Sequence, residues 1–141
     1  MAYQRRRNES GLCRHLLLHR ALLDANDSAH DRAVIATREL NSSTVTTAWV
    51  LLELANALSA SRHRIVFARF LDLLRTNPHV VIYEAEKEFF DLGVEMYRDR
   101  EDKQWLLTDC ISFVVMRRED LSEALTGDRN FEQAGFRALL R

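Results

Sequence analysis

The chain alternates between segments with strand-like and helix-like patterns, and this alternation restricts its fold more than any other feature. After residue 28, β-branched runs and apolar residues at helical spacing give the order α-β-α-α-β-α-α-β-(α)-β. Strands that alternate with helices are typical of a three-layer α/β domain with a mainly parallel sheet, which is the fold class we expect. The predicted strands lie in NSSTVTT, HVVIY, SEALTGD and FRALLR.

Helices are predicted between these strands. Thr47 is positioned to cap the helix that carries AWVLLELANAL, which is apolar on nearly all sides and should therefore be buried. The next helix is amphipathic and ends before Asn77-Pro78. Its inward face is predicted to carry Ile65, Phe67, Ala68, Phe70, Leu71 and Leu74. The predicted helices cover residues 28–40, 48–60, 62–76, 85–97 and 103–117.

Length, charge and cysteine usage limit the class of protein. At 141 residues, one domain can bury a core without disulfides or a structural metal. The net charge of −1 provides no overall positive field for nucleic acid, so such a contact needs a local patch or a bound cation. Cys13 and Cys110 fit free thiols in a reducing compartment. No run reaches the roughly 18 apolar residues of a membrane span, so we expect a cytoplasmic protein without membrane contact.

Three acidic residues lie in or beside the most apolar stretches. Glu53 and Asp109 are each predicted about two turns into a helix, and Asp128 follows a predicted strand. A lone ionised carboxylate in apolar surroundings is costly unless a charge or hydrogen bonds compensate it. We therefore expect the three to converge on Mg²⁺ or Mn²⁺, which prefer oxygen ligands. Such ions lower the pKa of a bound water and stabilise an in-line displacement at phosphorus.

Each of these acids also fits a purely structural role. A partner arginine or a hydrogen bond at a helix end would compensate any one of them. An α/β binding domain that holds no metal is therefore an alternative at this point. It predicts that Mn²⁺ does not raise the melting temperature.

Four segments, in this order, resemble PIN-domain proteins, in particular the VapC-type toxins of toxin–antitoxin pairs. They are ALLDANDSAHDRA, TVTTAWVLLELANALS, DKQWLLTDCISFVVM and EALTGDRNFEQAGFRALL, and they run from about Asp24 to Arg141. The resemblance implies an α/β/α sandwich with a parallel central sheet. It also implies an acidic, Mg²⁺- or Mn²⁺-dependent pocket, endoribonuclease activity on RNA, and a cognate antitoxin protein that silences it.

The resemblance also assigns site residues. Glu53, Asp109 and Asp128 take three of the four metal-ligand positions of the family, and these are the predicted catalytic residues. Thr108 and Ser112 are expected to support the carboxylates or the phosphate. Three further expectations concern the surroundings. Asp102 is predicted to be a solvated turn residue, Trp105 to pack in the core rather than stack on a base, and the helix at 62–76 to form a homodimer or receive an antitoxin helix.

The first strand departs from the family pattern. There the family has an apolar-Asp-Thr/Ser segment whose Asp is the fourth ligand, whereas this chain has GLCRHLLLHR and no acid. We therefore separate residues 1–21, an atypical segment with a degraded first strand, from a PIN-like domain at residues 22–141. Codons that encode residues 12–20 can also encode Phe-Val-Asp-Thr-Ser-Ser-Phe-Ile-Ala when they are read one base later. The Asp then falls at the position of Arg14, so a compensated frameshift is one hypothesis for the missing acid. As written, the chain fits a second function: a catalytically degenerate PIN module that binds an antitoxin without cleaving RNA.

Overall fold

A computed structural model describes residues 43–139 together with the backbone of residues 15–17. The helix predicted at residues 28–40, Cys13 and Arg14 lie outside the described residues. The strands are β1 (His15–Leu17), β2 (Thr44–Thr47), β3 (Val80–Tyr83), β4 (Glu123–Leu125) and β5 (Arg137–Ala138). The helices are α1 (Ala48–Ala57), α2 (Ser61–Thr76), α3 (Lys87–Asp99), α4 (Leu107–Arg118) and α5 (Arg129–Gln133). This order confirms the predicted alternation.

The strands form one parallel sheet in the order β3-β2-β1-β4-β5. The central strand is β1, in which Leu16 lies opposite Val45 on one side and Ala124 on the other. The chain builds β2 and β3 on one side of β1 and then returns to build β4 and β5 on the other. Ligands of open parallel sheets bind where the order reverses, beyond the carboxyl ends of the strands. That place is the edge at which β1 and β4 end.

Two apolar clusters cover the two faces of this sheet. Ala124 belongs to the cluster that contains Phe113 of α4, whereas Leu125 packs against the cluster that contains Leu54 and Phe70 of α1 and α2. Successive side chains of a strand point to opposite faces, so the two clusters lie on opposite sides of the sheet. The result is the expected three-layer α/β/α arrangement. Within the described residues, no helix is both long and apolar enough to cross a bilayer.

The burial of the first two helices differs from the prediction. In α1 the buried residues are Val50, Leu51 and Leu54, whereas Leu52 is 57% exposed. In α2, Ile65 is 54% exposed rather than inward, Ala68 is also exposed, and the buried residues are Phe70 and Leu74. A helix that rests on a sheet buries one stripe of side chains about one turn apart, so an apolar residue beside that stripe stays outside.

α3 and α4 pack against each other without space for a side chain at their crossing. A Cβ atom placed on Gly93 would lie 3.3 Å from both Cα and N of Ile111, and nearer still to its Cγ1. Because real Cβ contacts are almost never this close, Gly93 allows α3 to approach the backbone of α4. This contact fixes α4, which carries Asp109, against the rest of the domain.

Candidate functional site

Asp109 lies in the first turn of α4. The helix begins at Leu107 rather than near residue 103, because Gln104, Trp105 and Leu106 are not helical. The prediction of two preceding turns was therefore wrong. The Oδ2 atom of Asp109 accepts a hydrogen bond from the backbone N–H of Leu106 at 3.1 Å, which satisfies one of the free donors at the helix start. The side chain is buried, with 8% of the residue exposed.

The environment of Asp109 raises its pKa to about 6. Burial is the largest cause, and the hydrogen bond from Leu106 opposes it. The negative charges of Asp128 and Glu53 raise the pKa further, while the amide of Asn130 lowers it. The three acids predicted from the sequence thus lie near enough for two of them to disfavour ionisation of the third. Burial and these two neighbouring charges together distinguish Asp109 electrostatically.

Glu53 reaches the same region from α1. Thr47, the last residue of β2, caps this helix by accepting the N–H of Val50 at 3.2 Å. Glu53 lies in the second turn and is partly buried. Its Oε1 accepts a hydrogen bond from Oγ1 of Thr108 at 2.6 Å. Because Thr108 precedes Asp109, this bond joins α1 to the first turn of α4 beside the second acid.

Asp128 follows β4 and caps α5. Its Oδ1 accepts the N–H of Asn130 at 2.9 Å, and its own N–H donates to Oγ1 of Thr126 at 3.1 Å. The side-chain amide of Asn130 donates to Oδ2 of Asp109 at 3.4 Å. Asn130 therefore contacts two of the acids, one through its backbone and one through its side chain. Asn130 and Thr126 were not predicted; the signal that could have found them is the aspartate at residue 128, since Asp is a preferred residue at the start of a helix.

Ser112 is fully buried one turn after Thr108 and Asp109. The expected hydrogen bond from its hydroxyl to a carboxylate is not formed. Across the part of the chain that the structure describes, Oγ of Ser112 has no hydrogen-bond partner. A buried hydroxyl without a partner is costly, and such groups call for an explanation such as an ion or a bound water.

The three carboxylates have the right oxygen ligands for a hard divalent cation, but the spacing of their side chains fits one less well. Carboxylate oxygens are the ligands that Mg²⁺ and Mn²⁺ prefer, and Glu53, Asp109 and Asp128 supply them from three places in the chain. However, among residues 43–139 no group of three His, Cys, Asp or Glu side chains is arranged closely enough to hold a metal ion. The three elements bring the acids to one edge of the sheet, and side-chain rotamers can adjust when a cation binds.

Other candidate residues lie away from the acids. Asp102 is in an exposed turn, where the Arg100 guanidinium binds it and lowers its pKa to about 2. Trp105 is 5% exposed, packs edge-on against Phe113 and donates Nε1–H to Gln133 at 3.2 Å. Both observations agree with the predictions of a solvated turn residue and of core packing.

A solved toxin shares this fold. VapC20 of Mycobacterium tuberculosis, a PIN-domain toxin that cleaves the sarcin–ricin loop, matches with a TM-score of 0.69 and 18% sequence identity. The match covers 86% of this chain and 95% of that chain. It confirms, at the level of the fold, the resemblance seen in the sequence motifs. Neither the family models nor the curated proteins give a match to this sequence.

Proposed function

We propose that this chain is a PIN-domain endoribonuclease, the toxin of a toxin–antitoxin pair, which hydrolyses RNA phosphodiesters with Mg²⁺ or Mn²⁺. One observation carries the proposal: hydrogen bonds hold the three acids at one place, from Thr108 to Glu53 and from Asn130 to both Asp128 and Asp109. This acidic centre belongs to a fold shared with VapC20, a toxin that cleaves RNA. Carboxylates gathered at one place are expected where a divalent cation binds.

Glu53, Asp109 and Asp128 would hold the cation. When bound, it would lower the pKa of a water and stabilise charge developing at phosphorus. The chain's own groups prepare the ligands. Thr108 donates to Glu53 and fixes its carboxylate, and Asn130 donates to both of the other acids. Below about pH 6, Asp109 holds a proton and contributes no negative charge, so cation binding should weaken in acid.

The partners follow from the same proposal. The substrate is RNA, and the activity is restrained by a cognate antitoxin in the cytoplasm. Large apolar side chains on α1 and α2 remain exposed, as expected of a surface that a second copy or an antitoxin helix covers. They are Leu52, Ile65 and Leu73, each at least 50% exposed. We propose that the chain acts as a homodimer.

Two observations favour the alternative of a catalytically degenerate PIN module that binds an antitoxin without cleaving RNA. The described residues contain no closed set of metal ligands, and the segment that supplies β1 has no acid between residues 11 and 20. Fewer carboxylates hold Mg²⁺ more loosely. β1 begins at His15 and ends at Leu17, so the residue after its carboxyl end is Leu18 rather than Arg14.

A cleavage assay separates the two functions. Purified chain is incubated with labelled RNA and Mn²⁺, beside Glu53→Gln, Asp109→Asn and the control Glu95→Gln, an exposed acid on α3. Cleavage that the site variants lose and the control keeps supports the nuclease. If the chain is inactive and Arg14→Asp or Leu18→Asp restores cleavage, the degenerate module is supported, and the active variant identifies the fourth ligand position. Cleavage that survives both site substitutions would exclude the acids from the reaction.

A further inference from the structure

We propose that a groove between the end of α3 and the start of α4 binds one nucleotide of the RNA strand that flanks the cleaved bond. This inference deepens the proposed function and rests on it. The groove has a volume of about 450 Å³, which lies within the range of small-ligand sites. Its position, its chemistry and its exposed side chains each support a nucleotide as the occupant.

The groove lies beside the acidic centre. Two of its lining residues, Leu106 and Cys110, flank Asp109 closely in the chain, and the N–H of Leu106 donates to the Asp109 carboxylate. The groove therefore lies at the end of α4 where the acids are gathered. A strand whose phosphate reached the acids would have its neighbouring nucleotide within reach of this groove.

The side chains that line the groove offer the contacts a nucleotide needs. Tyr97 is 53% exposed and Leu106 is 51% exposed, so both present apolar surface to the groove. An exposed aromatic ring is a stacking surface for any base, and an apolar neighbour can cover its other face. Gln104 is exposed beside them and can donate to and accept from a base edge.

Lys103 supplies positive charge for a phosphate. The second cation of the groove, Arg100, is held against Trp105 with its carbon Cζ 4.9 Å from the ring centre, and Asp102 binds two of its nitrogens. The Lys103 ammonium forms a long ion pair with Asp102, at 3.7 Å, which a phosphate could replace. The lining thus combines an aromatic ring, an amide and a loosely paired cation, as single-stranded nucleic-acid sites do.

Binding without catalysis tests the groove. Affinity for a labelled ten-nucleotide single-stranded RNA is measured by fluorescence anisotropy in EDTA, where neither metal nor cleavage contributes. Tyr97→Ala should weaken binding roughly tenfold, within the range that one base stack contributes, whereas Tyr97→Phe should retain most of the affinity. The matched control is Phe90→Ala, which removes another exposed ring of α3 that does not line the groove.

Charge is tested in the same assay. Lys103→Gln should reduce the salt dependence of RNA binding by about one released ion, whereas Arg117→Gln, at the far end of α4, should leave it nearly unchanged. Equal effects of Tyr97→Ala and Phe90→Ala, or no RNA binding at all, would overturn the groove as a nucleotide site. Normal RNA cleavage by Tyr97→Ala would support the nuclease proposal and contradict the groove as a nucleotide site. RNA binding that depends on Tyr97, in a chain that never cleaves RNA, would support the groove and contradict the nuclease proposal.

Discussion

The Asp109 carboxyl group binds its proton more tightly in the folded chain than in the unfolded one. Its pKa rises from an ordinary 3.8 to about 6, mainly through burial. Between these values the folded state holds more protons than the unfolded state, so the free energy of unfolding falls as pH rises. Above pH 6 the full free-energy cost of ionising the buried carboxyl group is present. A difference of about two pKa units corresponds to roughly 3 kcal/mol.

Asp109→Asn should therefore stabilise the protein at alkaline pH. We expect a gain of up to about 3 kcal/mol in the free energy of unfolding at pH 8 and little gain at pH 4, since the native carboxyl is then protonated. Urea unfolding at both pH values measures it. Asp91→Asn, which changes an exposed acid of α3, is the control and should have a small effect at both. A similar loss of stability at both pH values in Asp109→Asn would contradict the electrostatic account.

Thr108→Val tests whether a hydroxyl prepares Glu53 for a cation. The variant keeps the shape of the side chain and removes the 2.6 Å hydrogen bond to Oε1 of Glu53. Because partners that orient a metal ligand typically contribute 10–100-fold to affinity, we expect Mn²⁺ binding to weaken about tenfold. Titration calorimetry measures it. Thr76→Val removes a comparable hydroxyl, which donates to the Asp72 carbonyl at the end of α2, and should bind Mn²⁺ normally. Equal affinities would show that Thr108 has no part in the site.

The sequence allowed us to predict the acids and the Thr108 donor to Glu53, but not the groups that hold Asp109. Glu53, Asp109 and Asp128 stand out because a carboxylate is conspicuous among apolar residues. The donors to Asp109 come from the backbone of Leu106 and the amide of Asn130, and these contacts depend on where two short helices begin. Helix starts are the least reliable part of a sequence-based assignment. Leu106 resembles the helix residues that follow it, so the late start of α4 left no signal.

At the scale of elements, the contact between α3 and α4 depends on Gly93. Gly93→Ala should destabilise the fold by about 2 kcal/mol, because a Cβ would press on the backbone of Ile111 and force the helices apart. This exceeds the helix propensity that alanine gains over glycine, about 1 kcal/mol. Chemical denaturation measures the change.

A double-mutant cycle checks that mechanism. Ile111→Ala removes the side-chain atom nearest to the added methyl group. The double variant Gly93→Ala/Ile111→Ala should therefore be more stable than the sum of the two single losses predicts. Strict additivity would mean that the two residues do not press on each other.

Helices and strands with a clear hydrophobic periodicity were predictable from the sequence. Which residues of each helix are buried was harder to predict. The β-branched run Thr44–Thr47 and the cap at Thr47 gave β2 and the start of α1 correctly. The exposed positions of Leu52 and Ile65 were not foreseen, because an apolar side chain looks the same in a sequence whether it faces the sheet or a surface. Their exposure is set by how each helix lies on the sheet, a tertiary property.

At the scale of the whole molecule, the central strand of the sheet comes from a segment whose sequence has a weak strand pattern. The segment GLCRHLLLHR was assigned to an atypical region, with the domain beginning at residue 22. The structure places His15–Leu17 of this segment between β2 and β4. A polar, arginine-containing sequence is a poor strand by pattern, yet backbone pairing on both sides does not depend on side chains. The acidic centre lies at the edge where this central strand ends, so the sheet and the site both depend on this segment.

A chain that begins at residue 22 should therefore fail to fold cooperatively. Without β1, backbone donors and acceptors of β2 and β4 would lie in the interior of the sheet without partners, and each such group costs about 1–3 kcal/mol. In the full chain, Leu16→Pro should act in the same direction, since proline removes an N–H from a central strand and costs about 3 kcal/mol or more, whereas Leu16→Val should be tolerated. Circular dichroism during heating and size-exclusion chromatography measure both. If residues 22–141 alone give a monomeric or dimeric species with a sharp transition at the melting temperature of the full chain, β1 is dispensable. The domain boundary drawn from the sequence then stands, and the edge that gathers the three acids must be built without a central strand.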